Sequence, residues 1–392
     1  MEFSKALNEL FELDRELDQK QSSFLSKEYI DLWGKINDTF RTIYASDKFI
    51  SSEISYKYFH EQLIALMHEF HDSKKIFCEK DVDEFLKSIR EMELIDFKVI
   101  RSIIGAKLHK PKEIYKLGDF EIYHYQTHKD YLHSLSRMDP EIFWHGKISD
   151  YLIGFNVNTR EKERAAEIAY NYFYKFEMCY YFIKAMKDEH HEIGILNYSQ
   201  INPTQQYILS SKMGSSHSGS SASFRLVEID DEYFIDEKNG YNKMWRLISK
   251  SNLTKYEEKI VSSIIWAGKS MSEKDLIDSF IQIAISLEIL LTYSEKGQII
   301  TPGITHQISE SAAIIIGDTF DDRIKVEKDI KELYGKRSSI VHSGERDIDI
   351  NDYYKFFFYV KDIIIKLITF DKYKNINTVK ELHSLIKKIK YS

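Results

Sequence analysis

The sequence predicts a mainly α protein, on three observations. Only four prolines interrupt 392 residues, so few positions forbid a helix. Apolar residues recur at intervals of three and four through most of the chain, the spacing that gathers them on one helix face. The alternation that marks strands is confined to the middle of the chain.

Residues 1–110 read as a helical N-terminal region, with helices expected over Phe3–Leu17, Tyr29–Tyr44, Tyr56–His71 and Val82–Ile104. From Pro111 the texture changes, and residues 111–240 read as a small α+β middle region. Strands are expected over Phe120–Tyr125 and Asp150–Val157, which alternate or are rich in β-formers, and a Tyr- and Phe-rich helix over Arg160–Lys187. Further strands are expected over Ile193–Tyr198, Gln206–Leu209, Phe224–Ile229 and Tyr233–Ile235. Between two of them lies Ser210–Ser223, the one low-complexity segment. Its serines and glycines bury too little apolar surface to offset chain entropy, which predicts a mobile loop. It lacks the lysine that a phosphate-cradling loop needs after its second glycine. Residues 241–392 return to the helical rhythm and read as a helical bundle. No internal repeat is visible.

Composition narrows the function. Two cysteines, Cys78 and Cys179, are too few for a disulfide framework or a Cys-rich zinc site, and a reducing cytoplasm is the expected setting. The N-terminus lacks an apolar core of signal-peptide length. No apolar run reaches the roughly 18 residues needed to cross a bilayer, so no membrane partner is expected. A net charge of -7 argues against a passive phosphate-coating binder, although an enzyme needs only a local basic patch. The C-terminal lysines 372, 374, 380, 387, 388 and 390 offer such a patch, or simply a solvated helix face. The histidine groups His60, His68 and His71, His124 and His128, and His190 and His191 bring no nearby carboxylates in a ligand spacing. No metal site is expected from them. No nucleophile elbow, dinucleotide glycine fingerprint or kinase signature occurs.

The chemistry-bearing segment runs from Leu333 to Glu345. Val326, Ile330, Leu333 and Ile340 set an apolar stripe, and Arg337 occupies it where a hydrophobe is due. A cation placed there needs an anion, either a carboxylate of the fold or an arriving phosphate. His342 follows five residues later, about 140° around a straight helix, and lines up instead with Ser338 and Tyr334. A site using both polar edges is easiest to build where this helix meets a second copy of itself across a two-fold axis. One helix upstream, Asp278, Ser279, Gln282 and Ser286 share a polar arc, while Glu288 falls on the stripe of Ile277, Ile281, Ala284 and Leu291. Glu288 and Arg337 are therefore two displaced charges that can pair. The pair is either purely structural, or it holds the guanidinium by one edge and leaves other N–H donors for a phosphate.

Together these residues resemble a known family. The segment from about Leu253 to Phe370 is similar to the HEPN superfamily (higher eukaryotes and prokaryotes nucleotide-binding), in its ApeA-like branch. The likeness rests on Leu287-Glu288-Ile289-Leu290-Leu291, on Leu333-Tyr334 before a basic run, and on Arg337-Ser-Ser-Ile-Val-His342 followed by Ser343-Gly344. Many members carry Asn, Asp or His after the arginine; Ser338 holds that place here.

The resemblance implies a HEPN-type helical bundle and a metal-independent endoribonuclease that needs no cofactor. RNA brings its own nucleophile, the 2'-OH. His342 would move the protons near neutral pH, and Arg337 would neutralise the phosphorane. Ser338 and Glu288 would complete the catalytic group, with Lys336 and Tyr334 against the substrate. The implied products are a 2',3'-cyclic phosphate and a 5'-OH, and DNA would be spared for want of the 2'-OH. The implied biology is a toxin or anti-phage effector cutting tRNA or other cellular RNA, working as a homodimer under an antitoxin or a phage trigger. The alternatives are a non-catalytic HEPN dimerisation or nucleotide-sensing scaffold, and a plain helical interaction protein.

Overall fold

The computed structural model describes residues 12, 16, 27–73, 78–135, 149–187, 193–195, 205–208, 216–219, 226–293, 303–344 and 347–391. It is 68% helical and mainly α, as the sequence predicts. Among the described residues the helices of the first half are α1 (Lys27–Ser46), α2 (Lys48–Glu53), α3 (Tyr56–Ser73), α4 (Glu79–Arg90), α5 (Tyr125–Ser134) and α6 (Lys162–Lys184). The second half adds α7 (Tyr241–Ser249), α8 (Lys255–Ser272), α9 (Leu276–Leu291), α10 (Ile304–Ile316), α11 (Phe320–Ser343), α12 (Ile350–Thr369) and α13 (Val379–Lys390). The strands are β1 (Ile95–Ser102), β2 (Ala106–Lys107), β3 (Tyr115–Leu117), β4 (Phe120–His124), β5 (Tyr151–Thr159), β6 (Gln205–Ile208), β7 (Ser216–Gly219) and β8 (Val227–Glu228). They form one sheet of order β1-β5-β4-β3 and two small pairs, β2 with β8 and β6 with β7.

Three expectations are corrected. The helix expected over Val82–Ile104 stops at Arg90, and its second part is strand β1. Phe97 and Val99 alternate with Lys98 there, and β-branched or aromatic residues fit a pleated surface better than a helix. Tyr233–Ile235 lies in a 3-10 turn, not a strand, because Asp231 caps it by accepting from the Tyr233 N–H at 2.8 Å. Within the serine-rich segment expected to be a loop, Ser216–Gly219 pairs antiparallel with Gln205–Ile208. A two-strand ladder is built from backbone donors and acceptors, which serine and glycine possess like any residue. The expected helix Phe3–Leu17 lies outside the described residues apart from 12 and 16, as do His190, His191 and the second half of the expected strand Ile193–Tyr198.

The chain divides into two compact units, residues 1–99 with 156–171 and residues 100–155 with 172–392. In the first, Ile36, Phe40, Ile50, Ile54, Phe59 and Leu63 make a fully buried core. Its turns are tied by two carboxylates. Asp47 caps α2 and meets Arg90 at 2.7 Å, and buried Glu161 accepts from the backbone N–H groups of Ser55, Glu163 and Arg164 at 2.9, 2.7 and 2.8 Å.

In the second unit, α8 and α9 form one antiparallel pair and α10 and α11 another, with α12 packed against all four. Polar residues help the helices approach. Buried Ser263 and Ser286 face each other with their hydroxyl oxygens 2.8 Å apart, each within hydrogen-bond reach of the other's carbonyl at 3.0 and 2.8 Å. Gly268 lies so near the backbone of Met178 that an added Cβ would come within 1.9 Å of its carbonyl oxygen. Lys187 satisfies its ammonium on the Ser270 carbonyl at 2.9 Å and the Ser279 hydroxyl at 2.8 Å. The arc expected to be the polar face of α9 is thus partly core, since Ser279 and Ser286 are buried while Ile277, Ile281 and Glu288 are half-exposed. Short hydroxyl side chains bury readily when a facing helix supplies their partners.

Candidate functional site

Helix α11 presents Tyr334, Lys336, Arg337, Ser338 and His342, and α9 presents Glu288. Thr319 and Asp322 start it with a reciprocal capping box, and Gly344, at φ 67°, stops it by adopting the left-handed conformation that glycine accepts without strain. Between these ends Val326, Ile330, Leu333 and Ile340 are buried, and Arg337 sits in their row at the margin of the core.

Arg337 meets the carboxylate anticipated from the sequence. Its Nη2 lies 3.0 Å from Glu288 Oε1 on α9, with the two side chains 22% and 24% exposed. The same oxygen accepts the Tyr334 hydroxyl at 2.8 Å. The guanidinium carbon also stands 5.5 Å from the centre of the Tyr334 ring, one turn back on the same helix. One carboxylate oxygen thus anchors a phenol and a guanidinium. Burial, and then the hydrogen bond and charge of Glu288, push the Tyr334 phenol up to about 12. Arg337 Nε is buried and has no hydrogen-bond partner. An arginine has five N–H donors, so the pair with Glu288 leaves part of that set uncommitted.

The other candidates stand apart from this cluster. Lys336 points to α12, where its ammonium meets Asp352 Oδ2 at 2.5 Å, a hydrogen bond that raises its pKa. Ser338 is half-buried beside Arg337, and His342 is exposed in the last turn of α11. Five residues of helix put it about 7.5 Å further along the axis from Arg337 and about 140° around it. Glu345 and Arg346, which follow, lie outside the described residues. The structure therefore brings Glu288, Tyr334 and Arg337 together and does not bring His342 to them within one chain. Asp352 was missed at the sequence level. Its only signal was an acidic residue in the first turn of α12, which ordinarily reads as a helix-dipole partner.

Among the described residues no group of three or more His, Cys, Asp or Glu could hold a metal ion, and no helix is long and apolar enough to cross a membrane. His128 is buried with its Nδ1 3.0 Å from the His124 carbonyl, and His60 packs on Phe40 and Tyr56. The C-terminal basic patch is partly spent, since Lys390 pairs with Glu310 and Lys372 lies over Phe370 and Tyr373. No protein-family model, curated protein or solved structure matches this chain.

Proposed function

We propose that the chain is a metal-independent endoribonuclease of the HEPN type, with Arg337 and His342 as its catalytic pair. The observation that carries this reading is the setting of Arg337. Glu288 and Tyr334 hold its guanidinium at the core margin, with the side chain 22% exposed and only Nη2 paired, so Nη donors remain for a phosphate. Preorganised, permanently charged donors of this sort lower the energy of a pentacovalent phosphorane more than mobile ones do. His342, exposed at the helix end, takes the proton from the 2'-OH and returns one to the leaving 5'-oxygen. Glu288 and Tyr334 act on Arg337 and not on the substrate, so they are positioning residues. Ser338 stands beside the arginine, and Lys336 is held by Asp352 at the edge of the same helix. Arg337 and His342 diverge around α11, so a complete site takes Arg337 from one protomer and His342 from its partner.

A second reading has its own support. Glu288 ties Tyr334 and Arg337 together without any substrate, which is also what a dimerisation or nucleotide-sensing scaffold would need. RNA ends separate the two. After induced expression in a bacterial host, ligation-based sequencing specific for 2',3'-cyclic phosphate and 5'-OH ends should reveal new paired termini, with tRNA the first class to inspect. End maps identical to those of cells carrying the double variant Arg337→Ala, His342→Ala would favour the scaffold. The cellular setting that follows from the nuclease reading is a toxin or anti-phage effector.

A further inference from the structure

We propose that the second unit carries another binding site, for a ligand bearing a diphosphate or longer phosphate chain, in the cavity at the N-terminal end of α11. The cavity holds about 560 Å3, within the range of small-molecule sites. Its walls are the end of α10, the first turns of α11, the C-terminal half of α12, and Lys238 and Asn239 ahead of α7. Two glycines make this enclosure. At Gly240, with φ 68°, a Cβ would fall 2.6 Å from the Thr369 methyl, which lets Lys238 and Asn239 lie over the end of α12. At Gly317 a Cβ would meet Arg323 Cγ at 2.6 Å, so the turn into α11 closes tightly.

The charges of the wall are unequal in availability. Of its three carboxylates, Asp322 accepts from the Thr319 N–H and hydroxyl at 3.1 and 2.7 Å, which lower its pKa and keep it an anion, and Asp318 pairs with Lys366 at 2.9 Å. Desolvation lifts the third, Asp362, above its usual range. Lys238 and Lys325 also line the cavity, both exposed; neither makes an ion pair within 4.0 Å among the described residues, and the charge of Lys325 helps to lower the pKa of Asp322 and Asp329. Arg323 and Lys372 stand close behind Lys366. Burial and then the charges of Lys366 and Arg323 lower the pKa of Lys372, the mark of a cation crowded by cations. With Arg323 and Lys372 behind the wall, five cations stand against three carboxylates, and positive groups on separate walls of one concavity fit an anion extended over more than one phosphate. At the rim Phe370 is 43% exposed, with Lys366 and Lys372 at 5.3 and 5.8 Å from its ring centre. This site is distinct from the proposed nuclease site, since Lys325 lies about 18 Å before Arg337 along the α11 axis.

Titration calorimetry on the full chain with pyrophosphate, ADP and orthophosphate tests it. Pyrophosphate and ADP should bind, and orthophosphate should bind about tenfold more weakly. Lys238→Glu and Lys325→Glu should each weaken binding by about tenfold. Their circular dichroism should be unchanged, because neither side chain is tied into the fold. If ADP exceeds pyrophosphate and Phe370→Ala erases the difference, the ligand is a nucleotide. Equal binding that ignores Phe370→Ala identifies a free polyphosphate. Absence of binding for both at millimolar concentration, or binding indifferent to both charge reversals, overturns the proposal. Neither result bears on cleavage by Arg337 and His342.

Discussion

Glu288 Oε1 takes a hydrogen bond from Tyr334 while it pairs with Arg337, so removing it orphans two groups at once. Glu288→Ala should cost about 1–3 kcal/mol of stability, and Glu288→Gln, which keeps an acceptor, clearly less. Combined with Arg337→Ala in a double-mutant cycle read by urea unfolding, the pair should show coupling of about 1 kcal/mol. Additive losses would mean that the two side chains do not work as one unit. The phenol adds a pH signature. Its pKa rises from 10.0 to about 12 on folding, so its contribution is complete below the unfolded value and is lost as pH climbs through the folded one. The melting-temperature gap between wild type and Tyr334→Phe should therefore narrow between about pH 10 and about pH 12. A constant gap would contradict the hydrogen bond. Both displaced charges were legible in the sequence, because each breaks an apolar rhythm. That one oxygen would serve both Tyr334 and Arg337, or that Asp352 would hold Lys336, was not, since helix-to-helix register is fixed by packing at a distance.

Among the elements, α8 and α9 show why helix faces were harder to read than helix locations. Helices α1, α3 and α6 fall close to the expected ranges because periodicity and capping are local. Ser279 and Ser286 went to the wrong face because burial of a hydroxyl depends on a partner in another helix. The sequence predicts helix across β1 for a related reason: its alternation is short and only sheet pairing selects the strand. Close approach makes α8 sensitive at Gly268. Gly268→Ala drives a methyl into the Met178 carbonyl and should destabilise by about 3 kcal/mol in urea unfolding, or prevent folding. A loss under about 1 kcal/mol would show that the helices can part at little cost. The last helix has a pH-dependent tie. His383 Nε2 lies 2.9 Å from the Leu291 carbonyl, its ring stacked on Tyr293, and burial lowers its pKa below 6.5. The neutral ring is the one the fold favours, so this contribution is present above the unfolded value and declines as pH falls through the folded one. Wild type should lose more melting temperature than His383→Gln between about pH 7 and about pH 5. Parallel declines would remove His383 as the source.

For the molecule as a whole, the divergence of Arg337 and His342 around α11 sets the assembly prediction. Native mass spectrometry at micromolar concentration should find a dimer, and a strict monomer with and without RNA would sink the composite site. Mixing inactive Arg337→Ala with inactive His342→Ala should restore about a quarter of wild-type cleavage, because half the dimers are mixed and each then holds one intact site. No restoration would place both residues in one protomer's site. The mainly α character of the chain was plain from its composition and rhythm. The division into two units with an interleaved segment was not, because that depends on which distant segments share a core.

The most direct measurement is cleavage of a short RNA by the purified chain in excess EDTA, with products resolved by mass. Wild type should yield 2',3'-cyclic phosphate and 5'-OH ends, and the same sequence as DNA should stay intact. His342→Ala, whose exposed ring contributes nothing to the core, should keep the wild-type melting temperature and lose cleavage by at least about a hundredfold. Undiminished cleavage by His342→Ala, or cleavage by wild type only when a divalent metal is restored, would contradict the account.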